Sequence, residues 1–355
     1  MHFLRWKVFT LIVNYAALII SRKVRNLAQR RRGGTATNDQ VTNNEIVMAA
    51  SERLGIQVRK LSGGFLELRK GDQTSYSSGS DFMFENVISW KIAGDKLVTA
   101  TLLNEHGLPV PKFAVFSPFA YPAALQSFKD FPKPVVVKPR LSTSGGTGVT
   151  TGISSEKDFH RAFAVAGSYG KDVMIEEFVP GDNYRVLVLS GRILSIIKRN
   201  RLHVIGDGKS TVAQLLDHNL AYNIGRPRPT MQRILDNDTR QYLKNNNLSM
   251  KDVPGPNERF YFKTVCNSGP IEEVTDSAPE ICKSLALKAA EVLGIRLCAV
   301  DLFSEDFSDP ASKGQFVINE VNTSPVLFAT GTPVGLGKPE LRCTEEILKE
   351  IFTPM

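Results

Sequence analysis

The chain has 355 residues, 42% hydrophobic and 23% charged, which is ordinary for a soluble globular protein and long enough to bury a substantial core. Its formal net charge of +8 sits wholly in the first 32 residues, where Arg5, Lys7, Arg22, Lys23, Arg25, Arg30, Arg31 and Arg32 meet no acid. The remainder is neutral, with 36 basic and 36 acidic residues, which argues against nucleic acid as a partner of the body.

The basic segment, residues 1–34, contains a 13-residue mostly apolar run, Val8 to Ile20, interrupted by Asn14 and too short for a comfortable transmembrane helix. It fits a packed or homo-oligomer-contact helix, or a peripheral anchor on anionic membrane. The strongly basic stretch after the run argues against a signal peptide. Gly33 to Asn44 reads as a polar linker. Glu45 to Leu54 reads as a helix, Ile56 to Leu61 and Phe65 to Leu68 as strands, and Asp95 to His106 as a helix ended by Gly107. The spacing then predicts strand Phe113 to Phe116, strand Pro134 to Lys138, helix Glu156 to Ala166 and strand Val173 to Phe178. A hairpin follows, Tyr184 to Leu189 and Arg192 to Lys198 joined at Ser190-Gly191. Ser210 to Asn223 reads as a helix, residues 225–258 as a polar exposed insertion, and Glu280 to Leu293 as an amphipathic helix ended by Gly294. Strands mixed with helices and antiparallel hairpins indicate an α+β fold of subdomains rather than one doubly wound sheet.

Cys266, Cys282, Cys298 and Cys343 are scattered without CxxC spacing and read as reduced, packed thiols in a reducing cytosol. The five histidines show no zinc spacing.

The chemistry concentrates in three places. Asp301, Glu320 and Asn322 interrupt two apolar strand-like runs, Cys298 to Phe303 and Phe316 to Asn322. A carboxylate there costs several kcal/mol unless a positive group neutralises it. Glu320 and Asn322 share a strand face, and three hard oxygen donors on adjacent strands suit Mg²⁺. Lys138 ends a strand that runs into Ser142-Thr-Ser-Gly-Gly-Thr-Gly148, where a lysine and close-approaching backbone amides can meet phosphate. Third, Glu176-Glu177-Phe-Val179-Pro-Gly181-Asp-Asn183-Tyr-Arg185 turns one strand into another, with acids at one end and an arginine at the other.

Taken in order, these motifs resemble the ATP-grasp superfamily, and within it the ATP-grasp modules of cyanophycin synthetases and bifunctional glutathione synthetases. Leu202 to Val212, and the region from Glu45 through Pro111 with its Ala93-Gly-Asp95-Lys96, are similar to that branch too. The resemblance covers roughly residues 44 to 330. It implies a small N-terminal α/β domain (44–116), a lid subdomain (117–190) and a C-terminal metal-binding subdomain (191–355, with the insertion 225–258). It implies Lys96 and Lys138 on the α- and β-phosphates of ATP, closed over by the loop Ser144, Gly145, Gly146 and Thr147. The backbone of Glu177 and Val179 would read adenine, with Glu176 near its amino group. Asn183 stands where the family has an acid on the ribose. Arg185, Lys198 and Arg199 would face the γ-phosphate and acyl phosphate, while Asp301, Glu320 and Asn322 would hold Mg²⁺, with Mn²⁺ as substitute. His203 is either packed or in contact with a bound carboxylate or phosphate.

The activity implied is an ATP-dependent carboxylate–amine ligase acting on amino-acid-type or small carboxylate and amine substrates. Two alternatives stand beside it: a nucleotide-binding module with weak or no ligase activity, and a small-molecule kinase of the same fold. A P-loop is excluded, because Gly206-Asp-Gly-Lys209-Ser210 has His203 where the first glycine belongs, and Pro339 follows Gly337-Lys338. The second, Mur-ligase-like ATP site of full cyanophycin synthetases is absent from this sequence.

Overall fold

The computed structural model describes residues 38–141, 143, 146–222, 235–266, 270–305, 307, 316–325, 327 and 338–353. The N-terminal segment 1–34, the start of the insertion and the loop residues Ser144 and Gly145 lie outside them.

The element that positions the site is a five-stranded antiparallel sheet. It runs β13 (Ile271–Glu273), β10 (Arg192–Arg199), β9 (Asp182–Leu189), β14 (Leu297–Ser304) and β15 (Val317–Thr323). β9 and β10 form the predicted hairpin, whose Ser190 and Gly191 take φ of 46° and 75°, the left-handed pair that suits strand twist. Helix α8 (Glu280–Leu293) lays Cys282, Ala286, Ala289, Ala290 and Leu293 on one face, against Val186, Val188, Ile196, Val300 and Val321. Gly294, at φ 63°, ends that helix in the left-handed cap. The other face is apolar only at its far end. There Leu187, Leu189 and Leu297 meet helices α1 (Asn38–Arg53) and α9 (Lys338–Ile351). The near end of the same face carries the charged residues.

A second antiparallel sheet orders β5 (Phe113–Phe116), β8 (Val173–Glu177), β6 (Val135–Pro139) and β7 (Thr150–Ile153). Helices α4 (Tyr121–Asp130) and α5 (Glu156–Gly167) cover it through Phe128 and Phe159, whose rings stack at 4.4 Å. A third sheet, β1 (Gln57–Lys60), β2 (Phe65–Lys70), β3 (Gln73–Ser78) and β4 (Asp81–Phe82), precedes α2 (Val87–Ala93) and α3 (Lys96–Glu105). A two-stranded ribbon of β11 (His203–Ile205) and β12 (Arg259–Tyr261) holds Phe260 and Phe262 buried against α6 (Val212–Tyr222).

Three expectations need correction. The polar linker extended to Asn44, but helix α1 already begins at Asn38. The subdomain limits at 116 and 190 both cut sheets: β5 pairs with β8, and β9 pairs with β10 and β14. The described part of the insertion is not simply exposed. Helix α7 (Asn237–Asn245) docks along the edge strand β7. Asp238, 1% exposed, accepts from Thr151 N and Oγ1 and from Thr264 N and Val265 N, at 2.6–3.1 Å. Asn237 donates to Thr150 Oγ1 and Asn245 to the Gly152 carbonyl, so polar side chains cover a strand edge that would otherwise be open.

Asp238→Ala strands four donors in one step. We expect it to lower unfolding free energy by about 3–5 kcal/mol, read as a shifted urea midpoint. An unchanged midpoint removes Asp238 as the clasp.

Candidate ATP-binding and ligase site

Strand alternation puts Asn183 and Arg185 of β9, Arg199 of β10, Asp301 of β14 and Glu320 and Asn322 of β15 on the sheet face away from α8. Arg185, Asp301 and Glu320 form one cross-strand row. A bulge between Asp301 and Leu302 leaves Asn319 unpaired and keeps Glu320 opposite Asp301.

Asp301, 3% exposed, is held by two guanidiniums. Arg185 Nε and Nη2 donate to its two oxygens at 2.7 and 2.8 Å, and Arg199 Nη1 donates at 3.1 Å. Burial pushes the Asp301 carboxyl up, but the two arginines outweigh it and hold the group below the usual carboxylate range. Arg199 titrates below the ordinary arginine value, from burial first and the neighbouring Arg185 second. One carboxylate therefore hydrogen-bonds two buried cations, with Glu320 as the next negative charge acting on both.

Glu320 takes the ammonium of Lys96 at 3.4 Å. Lys96 opens helix α3, whose N-cap Asp95 accepts from Leu97 N and Val98 N. Asp95 also accepts from Arg140 Nε and Nη2 at 2.9 and 2.7 Å, and Arg140 bonds Asp172 at 3.1 Å. This clamp ties α3 to the end of β6, two residues past Lys138. Lys138 and Glu176 form a buried ion pair at 2.5 Å on the second sheet. Glu176, Lys96 and Glu320 line one narrow cleft with Thr99, Pro111 and Asn319, so the two sheets converge on it. Past Lys138, Gly146 and Gly148 take φ of 73° and 84°, and Thr143 Oγ1 donates to the Thr147 carbonyl at 2.6 Å. A Cβ at Gly148 would lie 2.7 Å from the Tyr169 ring.

Some predicted residues go elsewhere. Lys198 adjoins Arg199 on a strand and so projects to the opposite face, paired with Asp182 at 2.5 Å beside Tyr184. His203 sits in the β11–β12 ribbon, its Nδ1 3.0 Å from the Arg201 carbonyl and its ring 5.2 Å from Tyr261. The backbone N–H of Glu177 already donates to the Lys112 carbonyl at 2.9 Å, while Val179 lies half-buried in the link to Gly181. A Cβ on Gly181 would meet the Ser304 backbone at 2.4 Å, so only glycine allows this crossing. The sequence motif contained Asp95 without assigning it a role, and neither Asp172 nor the clamping role of Arg140 was foreseen. An acid directly before a helical run was the available signal for Asp95.

Among the described residues no group of three or more His, Cys, Asp or Glu side chains is placed to hold a metal ion. The predicted set has two acids and an amide, and its hard-oxygen chemistry fits Mg²⁺. Asn183 Oδ1 and Asn322 Nδ2 are buried with no hydrogen-bond partner, and a cation would be held by Asn322 through its Oδ1, since the amide nitrogen only donates.

Residues 93–224 match the family model of the ATP-grasp domain. The chain carries an ATP-grasp domain. It is similar to the glutathione biosynthesis bifunctional protein of Listeria innocua, 29% identical over 300 residues, which cover 81% of this chain and 38% of the relative. The corresponding protein of Pasteurella multocida is 29% identical over 302 residues, covering 81% and 39%. The crystal structure of a bifunctional glutathione synthetase from Pasteurella multocida superposes with a TM-score of 0.57 at 26% identity, covering 87% of this chain and 43% of that one. The chain thus spans about 38–39% of the length of these curated relatives. The ATP-grasp fold and its α+β character agree with the sequence reading.

Asp301→Ala leaves Arg185 and Arg199 buried without their counter-charge. We expect a loss of about 3–5 kcal/mol of stability, read by urea denaturation, whereas Arg199→Met, which leaves Arg185 and Asp301 paired, should retain the fold. The depressed carboxyl gives a stability contribution complete above about pH 4, near the unfolded carboxylate value, and lost as pH falls through the lower folded value. A stability–pH profile of Asp301→Asn that keeps an unchanged acid limb contradicts this assignment.

Proposed function

We propose that the chain is an ATP-dependent carboxylate–amine ligase that joins small amino-acid-type substrates through an acyl phosphate, releasing ADP and phosphate. The observation that carries the reading is the Arg185–Asp301–Arg199 arrangement. It presents surplus buried positive charge beside Glu320 and Lys96, in a domain of ATP-grasp type. A carboxylate oxygen attacks the γ-phosphorus, and the bond from that phosphorus to the ADP oxygen breaks. The amine then attacks the acyl carbon, expels phosphate and loses its proton, leaving the amide. Negative charge spreads over the transferred phosphoryl group in the first step, so fixed guanidiniums contribute more there than to nucleotide binding.

Lys96 and Lys138 serve the α- and β-phosphates in this reading. Each has a carboxylate partner in the structure, Glu320 and Glu176, and both of these carboxylates line the cleft. The Ser144 to Thr147 loop closes over the phosphates. Glu176, Glu177 and Val179 border the adenine, Glu177 through its carbonyl since its N–H is engaged, and Asn183 offers its unpaired Oδ1 to a ribose hydroxyl. Glu320, Asn322 and Asp301 would hold Mg²⁺, with Mn²⁺ as substitute, and the ion when bound neutralises charge on the phosphate oxygens. Lys198 and His203 stand outside the cluster, so the chemistry is assigned to Arg185 and Arg199. The chain acts in the cytoplasm, and its basic segment makes a peripheral contact with anionic membrane.

A phosphate-release screen over pairs of amino acids, with mass spectrometry on the positives, tests the reaction. We expect ADP and phosphate, with ¹⁸O from the carboxylate substrate appearing in phosphate. Label in AMP, with pyrophosphate released, overturns the mechanism. Glu320→Ala should abolish Mg²⁺-dependent turnover with the fold intact, and Arg199→Met should depress ¹⁸O transfer far more than ATP binding. Near wild-type ADP release by Glu320→Ala sinks the metal assignment.

A further inference from the structure

The pairing of β10 continues past Arg199. Asn200 N donates to the Pro270 carbonyl at 2.9 Å, one step beyond the Arg199–Ile271 pair. Arg201 is the next residue, and strand alternation returns it to the side of Arg199, about 6.5 Å further along the chain. Both guanidiniums act on the Cys266 thiol, which agrees with that placement.

Arg201 is held by its flat face and not by its N–H fork. Its Cζ lies 4.4 Å from the Tyr261 ring centroid and 6.0 Å from that of Tyr242 on α7. All three side chains are half-buried. The His203 ring stands 5.2 Å from Tyr261, and its Nδ1 lies 3.0 Å from the Arg201 carbonyl, so the ribbon and the arginine's backbone are tied together. Among the described residues no carboxylate pairs with Arg201. The other described arginines that lack one, Arg161, Arg240 and Arg259, are exposed. The acids that act on the Cys266 thiol are engaged elsewhere: Asp182 pairs with Lys198, and Asp238 accepts from Thr151, Thr264 N and Val265 N. A guanidinium stacked on an aromatic ring keeps its planar fork free for a carboxylate, the anion that matches it in two parallel hydrogen bonds.

We propose that Arg201, shelved on Tyr261 and Tyr242, binds the free carboxylate of the amine substrate, which is therefore an α-amino acid or a molecule ending in one. In such a molecule a single carbon separates the amine from the carboxyl carbon. A carboxylate gripped at Arg201 directs the amine back toward Arg199, where the acyl phosphate forms. The subsite rests on the ligase reading and adds to it which substrate carries the recognised anion. Arg201 is thereby a specificity residue, and Tyr242 makes α7 one wall of the acceptor site.

The test uses full-length protein, with each L-amino acid and its α-carboxamide as probes. Turnover is read as phosphate release in the pairs that the screen finds. Binding without turnover is read as the thermal shift in the presence of Mg²⁺ and a non-hydrolysable ATP analogue. We expect Arg201→Met to raise KM for the amine partner by roughly ten- to a hundred-fold, with a much smaller fall in kcat and no rise in KM for ATP. Arg201→Lys should recover part of the loss. Wild-type protein should discriminate against the α-carboxamide of the amine partner by a similar factor, and Arg201→Met should lose that discrimination. A normal KM for the amine partner in Arg201→Met, or a raised KM for ATP, overturns the subsite and leaves the ligase reading standing. Discrimination that follows the carboxylate partner instead overturns the subsite too. Amino acids that stabilise wild-type protein but not Arg201→Met, with no phosphate released from any pair, keep the subsite and defeat the ligase reading. Neither stabilisation nor release defeats both.

Discussion

The site depends on one carboxylate shared by two buried guanidiniums. Asp301 fixes Arg185 by a two-point contact and Arg199 by a single one, across three neighbouring strands. Neither arginine needs an anion to be held in place, yet together they exceed the charge that holds them. That is preorganisation in the electrostatic sense: the donors are aimed before negative charge develops. The apolar face under α8 and the apolar end under α1 and α9 pack the sheet that carries the row.

A second tie joins helix α3 to the sheet of β6 and β8. Arg140 bridges Asp95 and Asp172, so the start of α3 and the ends of β6 and β8 move together. Burial pushes the Asp95 carboxyl up, but Arg140 and the capping amides hold it below the usual range, as a permanent anion. Lys96 and Lys138 consequently sit on a helix and a strand whose relative placement is set by ion pairs that touch neither lysine.

Much of this was legible in the sequence for a physical reason. Acids inside apolar strands are costly, so Asp301 and Glu320 announce a counter-charge, and Arg185 supplies it to Asp301 as its cross-strand neighbour. Helix Glu280–Leu293 was legible from its apolar spacing and its closing glycine. Placing Lys198 and Arg199 at one anion ignored the period of two that the same strand imposes. β3 escaped notice because Gln-Thr-Ser-Tyr-Ser-Ser carries little apolar signal and becomes a strand through pairing with β2. Asp238 looks like any surface acid in a polar stretch; only the fold reveals that it is the hub of four hydrogen bonds.

The docking of α7 on β7 bears on how the glycine loop can move. That loop joins β6 to β7, and β7 is bound along its outer edge to Asn237, Asp238 and Asn245. The same stretch of chain runs on through β12 to Cys266, a thiol that burial pushes up to about 11 against the opposing pull of Arg199 and Arg201. A displacement of β7 would therefore be felt through Asp238, which also accepts from Thr264 N and Val265 N, as far as the chain beside Arg199.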